Sequence, residues 1–319
     1  MTPERLKIIF MGTPEIAVPC LESLYNCDGF EISAVVTQED KKVGRKQEIE
    51  APPVKIWALK HNLPVLQPPI IKNNKEFLKV LKALNPDFIV VIAFGKILPE
   101  EVLNLPKYDS INIHVSLLPK YRGASPIEEA LLNGDKETGI SIMKMEEKLD
   151  TGPIYFVKKL QIEPEDNAET LRIKLSLLAG AAIPIILKEI SEGNLKAIPQ
   201  NESKATHCHK ITKEDGLINL QSMGAEEIDN RIKAYTPWPA CHLFIENKRF
   251  KILEAKIDLS KNEESGKVID IDKNSIAIGT KKGLLIPLKV QLEGKPAMDI
   301  QDFLLGNRKL LKNSLVNPK

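Results

Sequence analysis

The sequence predicts an α/β protein: a doubly wound, mainly parallel, Rossmann-like sheet followed by a second, smaller OB-like β-barrel domain. Three observations carry that expectation. Apolar, β-branched runs alternate with helix-like segments over residues 1–190, the pattern of successive βαβ units. One of those runs, Asp87 to Phe94, is almost uniformly apolar, as a strand covered on both faces must be. After residue 240 the helical segments give way to five short strand-like runs separated by turn residues, which suits a small barrel.

Taken in order, Leu6 to Met11 is the first strand, Gly12-Thr13-Pro14 turns the chain, and Glu15 to Tyr25 reads as a helix. That opening invites dinucleotide binding, but Pro14 and Glu15 stand where G-x-G-x-x-G needs further glycines, so the nucleotide reading is weak. Ile32 to Val36 is a second strand, and Thr37 to Lys46 a polar, basic loop whose ordinary role is a solvated connection. Pro52 and Pro53 start a helix through Lys60, Leu63 to Leu66 reads as a short strand, and Asn73 to Leu84 as a helix. The central strand ends in Gly95-Lys96-Ile97-Leu98-Pro99, where Ile97 and Leu98 are by default core residues. In the next run Ile111, Ile113 and Val115 alternate with polar residues, so a strand sends Asn112 and His114 out of one face together. Pro119 cannot donate to a central ladder, so the strand opens there into a loop. Pro126 to Leu132 is helical, Ile140 to Met145 is a further strand, and the turn Asp150-Thr151-Gly152 returns a carboxylate toward the same edge. In open α/β sheets, that carboxyl edge is where ligands bind. Ile154 to Ile162 adds a strand and Asn167 to Ile190 a long helix. A shift to Gly, Asn, Pro and Ser then reads as a linker, giving domains at 1–190 and 210–319 joined by 191–209. The second domain opens with Ile211 to Ile218, and a helix is expected from Gly224 to Tyr235. Its strands are expected at Cys241 to Glu246, Lys248 to Ala255, Gly266 to Asp270, Ser275 to Gly279 and Leu284 to Val290.

Composition bounds the function. With 319 residues, 43% of them hydrophobic, the chain can bury the cores of two domains. A formal net charge of +2 does not announce a nucleic-acid binder, although residues 210–319 hold 19 Lys and Arg against 15 Asp and Glu. The start has no signal-peptide core, and no apolar run looks long enough to span a bilayer, so a cytoplasmic protein is expected. Cys20, Cys27, Cys208 and Cys241 make no C-x-x-C pair, which suits unpaired thiols in a reducing compartment. His207-Cys208-His209, with Cys241-His242 further on, lacks zinc spacing, and consecutive residues rarely turn toward one ion; no metal is expected. Trp238, between two prolines, reads as packing rather than base stacking. The lysines of the barrel suit phosphate contacts and a solvated surface equally.

Asn112, His114 and Asp150 form a sensible set for acyl transfer between nitrogens, in which an amine loses a proton, a carbonyl oxygen becomes an oxyanion, and a leaving nitrogen regains a proton. Asn112 and a protonated His114 suit the oxyanion; Asp150 suits holding the ring and accepting the amine proton. Asn and His two apart on a strand are also the ordinary dress of a polar edge. Together, however, Asn112-Ile113-His114, Ser116-Leu117-Leu118-Pro119, Arg122-Gly123, Pro126 and Leu149-Asp150-Thr151-Gly152 resemble the signature of the folate-dependent formyltransferases. In that family Gly12-Thr13-Pro14-Glu15 resembles a tight turn that binds no nucleotide. The loop at Asp40-Lys41-Lys42-Val43-Gly44-Arg45-Lys46 resembles the D-R-P-x-G-R-G insertion of the branch acting on aminoacyl-tRNA, with Lys42 in place of proline and Lys46 in place of the second glycine. Lys213-Glu214-Asp215-Gly216, Arg231 to Pro239, Gln291 to Lys295 and Phe303 to Gly306 resemble the carboxyl-terminal domain of the same branch. The resemblance implies a formyl donor, 10-formyltetrahydrofolate, and an acceptor, the α-amino group of methionyl initiator tRNA. It implies catalysis by Asn112, His114 and Asp150, folate contacts from Ser116, Leu117, Leu118 and Pro119 with Ile97 and Leu98 bordering the pteridine, tRNA contacts from Arg45 and Lys46, and a monomer. The rivals are formyltransferases acting on glycinamide ribonucleotide or amino sugars, and a catalytically silent RNA- or folate-binding module.

Overall fold

Residues 5–43 and 47–312 are described by the computed structural model. They divide into two units. The first comprises the chain through Gly123, Glu137–Gln161 and Arg172–Cys208; the second comprises Ala124–Lys136, Ile162–Leu171 and the chain from His209.

In the first unit the apolar runs become strands β1 (Leu6–Gly12) and β2 (Phe30–Val36), with helix α1 (Val18–Tyr25) between them. Pro19 sits in the first turn of α1, where its missing N–H costs nothing, and a 3-10 turn over Glu15–Ala17 replaces the first part of the expected helix. Lys41–Val43 (β3) and Glu48–Glu50 (β4) pair antiparallel, so part of the segment expected to be a plain connection is a strand. Arg45 and Lys46 lie outside the described residues. Helix α2 (Pro53–Lys60), strand β5 (Val65–Leu66) and helix α3 (Lys75–Leu84) follow. Asn74 caps α3 by accepting from the Phe77 N–H at 3.0 Å, and Asn85 ends it in the left-handed conformation. Then come β6 (Phe88–Ile92), a short unforeseen helix α4 (Glu100–Leu103), β7 (Ser110–His114) and β8 (Arg122–Gly123). Helix α5 (Pro126–Leu132) belongs to the second unit; β9 (Glu137–Lys144) and β10 (Ile154–Gln161) return to the first.

The main sheet has the order β10-β9-β7-β6-β1-β2-β5. From β5 through β7 all neighbours are parallel, as the alternation predicted. β9 and β10 are antiparallel, a direction the pattern of buried residues does not encode. Its core is built from fully buried side chains such as Ile9, Met11, Ile89 and Leu81.

Helix α6 (Ala168–Ser191) buries Leu171, Leu175, Ala179, Ile183 and Leu187, a row at four-residue spacing, completely. By length and composition alone this helix is long and apolar enough to cross a membrane, contrary to the expectation that no apolar run is long enough, and the core helix of a globular protein meets the same measure. Scattered Arg172, Lys174 and Pro184 hide that length from a search for unbroken apolar runs.

Of the stretch 191–209 read as a linker, all but His209 falls in the first unit. Ile198 and Ile154 exchange both backbone hydrogen bonds, at 2.8 and 2.9 Å, and His207–Cys208 (β11) pairs in parallel with β8. Polar composition here reflects side chains used as ties.

In the second unit α5 packs on helix α7 (Ala225–Tyr235). Strands β12 (His242–Ile245), β13 (Lys248–Asp258), β14 (Val268–Asp270), β15 (Ile276–Gly279), β16 (Leu284–Leu292) and β17 (Met298–Asp299) form an antiparallel sheet in the order β12-β13-β16-β15-β14, with β17 also on β16. Glu246 and Asn247, both at positive φ (47° and 64°), make the two-residue turn joining β12 to β13. Register shifts near Glu254 curl the long β13–β16 pair. Among the described residues no pairing joins β12 to β14, so the expected barrel is a curled half-barrel. Helix α8 (Ile300–Lys312) brings Phe303 against Phe250 in the core. Trp238, expected to be packed, is half exposed.

Candidate active site

The site starts from β7, which pairs with β6 on one side and β9 on the other. The ladder sends Ile111 and Ile113 into the core and leaves Asn112 and His114 on the opposite face; His114 is only 6% exposed. The loop that follows is pinned by its own polar groups. Ser141 Oγ donates to the Ser116 carbonyl at 2.7 Å and accepts from the Leu118 N–H at 3.0 Å, while Ser116 Oγ donates to the Lys120 carbonyl at 2.6 Å. The loop returns through Tyr121, whose carbonyl lies 2.9 Å from His114 Nε2. A carbonyl can only accept, so Nε2 carries the proton, and the lone pair of a neutral ring is on Nδ1. That nitrogen faces Asp150 Oδ2 at 3.7 Å.

Asp150 is 6% exposed and sits at φ 55°, a left-handed conformation that Asp tolerates better than most residues. Its Oδ1 accepts from Asn112 Nδ2 at 3.3 Å and its Oδ2 from the Gly123 N–H at 2.9 Å. Asn112, His114 and Asp150, distant in sequence, are therefore brought together. Gly123, at φ 125°, fits because a Cβ there would overlap the Cys208 carbonyl of the adjoining β11. Around this meeting point lies a set that residue-by-residue reading missed. Arg122, 2% exposed, donates Nη1 and Nη2 to the two carboxylate oxygens of Glu202 at 2.9 and 2.7 Å, and Nε and Nη2 to Gln200 Oε1 at 3.1 and 2.8 Å. The Glu202 hydrogen bonds hold the Arg122 guanidinium pKa above its ordinary value, and the same bonds hold the Glu202 carboxyl below its own. Arg122-Gly123 stood in the sequence motif; Gln200 and Glu202 sat in an apparently featureless polar stretch.

A buried carboxylate with both oxygens held, an imidazole and an amide at one sheet edge suit proton removal from an attacking amine beside a polarised carbonyl. Comparison with known proteins agrees. Residues 6–187 match the family model described as formyl transferase, and residues 210–308 that of the formyl transferase C-terminal domain. The chain belongs to the formyl transferase family. It is 45% identical over 303 residues to a methionyl-tRNA formyltransferase from Caldanaerobacter subterraneus subsp. tengcongensis, covering 95% of this chain and 97% of that one. Among solved structures it resembles an N-formyltransferase from Helicobacter canadensis in complex with folinic acid and dTDP-3-aminofucose. The TM-score is 0.66 at 21% identity, over 88% of this chain and 98% of that one. It also resembles HypX from Aquifex aeolicus in complex with tetrahydrofolic acid, with a TM-score of 0.63 at 14% identity; the match covers 99% of this chain but only 49% of that one.

The remaining residues expected to matter divide by exposure. In this formyl transferase Ile97 is 81% exposed, whereas Leu98 is buried among Phe94, Val102 and Leu103. Leu117 and Pro119 are half-buried, Leu118 is buried, and the buried Ser116 hydroxyl has its proton committed to Lys120. Gly12 allows a close-packed turn: a Cβ there would lie 2.8 Å from Ala17 Cβ. Next to it Thr13 Oγ1 and Gln38 Nε2 both donate to the Phe94 carbonyl, at 3.0 and 2.7 Å. The root of the basic loop is anchored by Asp40, which accepts from Gln67 at 2.8 Å and from Lys55 at 2.9 and 2.8 Å; the Gln67 bond first, then Lys55, holds its pKa low. Among the described residues no group of His, Cys, Asp and Glu has a metal-holding arrangement. Cys208 Sγ instead lies against the carbonyls of Tyr121 and Arg122, and His209 approaches Asp215 at 3.4 Å.

Proposed function

We propose that this formyl transferase moves the formyl group of 10-formyltetrahydrofolate to the α-amino group of methionyl initiator tRNA, producing formylmethionyl-tRNA for translation initiation. The meeting of Asp150 with Asn112 and His114 carries the reading of formyl transfer. The acceptor is supported by full-length likeness to proteins named methionyl-tRNA formyltransferase. In this division of labour residues 1–190 are the catalytic domain, 191–209 the connection and 210–319 the tRNA-binding domain, with Arg45 and Lys46 at the acceptor end. The protein acts in the cytoplasm as a monomer.

The donor supplies an activated one-carbon acyl group; the residues supply positioning and proton management. Asp150, its two oxygens positioned by Asn112 and the Gly123 N–H, accepts a proton from the attacking amine directly or through one water. One amide hydrogen of Asn112 is directed at Asp150, leaving the other for the developing oxyanion. His114 keeps its Nε2–H on the Tyr121 carbonyl and turns Nδ1 toward Asp150 and the reacting groups. As the new C–N bond forms and the old one breaks, the proton taken from the amine ends on the leaving nitrogen. The folate fits against the exposed Ile97 and half-buried Leu117 and Pro119, with Ser116, Leu118 and Leu98 shaping the backbone behind them.

The test is to offer labelled 10-formyltetrahydrofolate with methionyl-tRNA, glycinamide ribonucleotide and an amino sugar in separate reactions. Label is expected on methionyl-tRNA alone. Transfer to either small acceptor in preference to the tRNA overturns the assignment.

A further inference from the structure

Asp150 is gripped from two sides, at its carboxylate and at its backbone. Its carboxylate is held by Asn112 and Gly123, as described. Its backbone is held by a single side chain, Gln200, whose Nε2 donates one hydrogen to the Asp150 carbonyl and the other to the Gly152 carbonyl, both at 2.8 Å. The orientation of that amide is not ambiguous. Oε1 accepts from Arg122 Nε and Nη2, so a flipped amide would set NH₂ against a guanidinium and oxygen against two carbonyls. Arg122 is in turn held by the Glu202 fork, and it is the residue before Gly123, whose N–H holds Asp150 Oδ2. Glu202, Arg122 and Gln200 thus form one chain of hydrogen bonds, charge-assisted at Arg122, that ends on the backbone of a turn lying outside the strands of the described residues.

We propose that Gln200 is a positioning residue for formyl transfer. By pinning the turn at Asp150-Thr151-Gly152, with Asp150 in its left-handed conformation, it keeps the Asp150 carboxylate within reach of Asn112 and His114. This rests on the formyl-transfer reading and extends it: a residue of the segment between the two family-matched regions, outside both, completes the site. Gln200 reaches Asp150 only through its backbone, so it acts on geometry and leaves substrate binding alone.

The experiment compares Gln200→Ala and Gln200→Glu with the wild type in steady-state formylation of methionyl-tRNA. The glutamate keeps the volume and the Arg122 contact, so it folds even where alanine does not, but as a carboxylate it has no hydrogen for the two carbonyls. In both, kcat is expected to fall roughly 10- to 100-fold, with KM for each substrate within about twofold. In an Asp150→Asn background, measured in single turnover, Gln200→Ala is expected to add less than about twofold, because the group it positions is already lost. Wild-type kcat in Gln200→Glu, a loss confined to KM, or an undiminished further loss in the Asp150→Asn background overturns the positioning role. A wild-type protein that formylates no methionyl-tRNA in the same assay overturns the functional reading instead.

Discussion

The two halves of the candidate site are held by different means. Asn112 and His114 stand on a strand whose backbone is hydrogen-bonded to neighbours on both sides, so their positions follow from the register of the sheet. Asp150 stands on a turn outside every ladder, at positive φ, and its position follows from bonds to Asn112, Gly123 and Gln200. The difference teaches where each half is vulnerable. On the strand, losing a side chain leaves the backbone in place, although Asn112 takes with it one of the ties on Asp150. On the turn, losing a tie displaces the group that the tie was holding.

Substitutions can break or sharpen this contrast. The largest effect is expected on the strand: Asn112→Ala removes a donor to the oxyanion and should lower turnover roughly 100- to 1,000-fold with the fold intact. Near-normal kcat with an unchanged denaturation midpoint would remove Asn112 from the chemistry. On the turn side, Gly123→Ala forces a side chain into the Cys208 carbonyl at a φ that disfavours it, and about 1–3 kcal/mol of stability should be lost along with activity. Urea unfolding measures the first and turnover the second; full stability would mean that β8 and β11 part without cost. Arg45→Ala probes neither half. It should weaken use of tRNA and reduce the salt slope of tRNA binding by about 1, leaving folate affinity unchanged in equilibrium titration. Equal kcat/KM for tRNA in mutant and wild type would refute it. The smallest effect is expected from Glu202→Gln, and it shows in the pH profile. The folded pKa of Glu202 is held low, so its contribution is complete above the unfolded value near 4.5 and fades as pH falls toward the folded one. The wild-type advantage over Glu202→Gln in melting temperature should therefore shrink as pH falls below about 4.5, and a constant difference would uncouple Glu202 from Arg122.

What was readable in advance follows the same division. Alternation of Ile111, Ile113 and Val115 was enough to orient Asn112 and His114, because a strand has one side-chain period and a proline marked its end. Parallel pairing from β5 to β7 followed from the alternation of strands with helices, whereas the reversed direction of β9 and β10 did not, since burial along a strand carries no sign. The motif containing Asp150 was visible, but the segment holding its backbone was not. Gln200 and Glu202 lie among residues whose composition is that of a tether, and only long-range bonds to Arg122 and Asp150 distinguish a tie from a tether. The resemblance implies Ile97 and Leu98 together at the pteridine, but neighbouring residues on an irregular segment face different ways, one into the open and the other into the core.

The parallel pairing of Arg122–Gly123 with His207–Cys208 joins residues more than eighty positions apart, and with Gln200 it closes the surroundings of Asp150. During synthesis from the amino terminus, all three reactive groups leave the ribosome well before the segment that secures one of them. A nascent chain halted after α6 would carry Asn112, His114 and Asp150 with the Asp150 turn still untied, and the turn would be secured only once the stretch through Cys208 had emerged and docked.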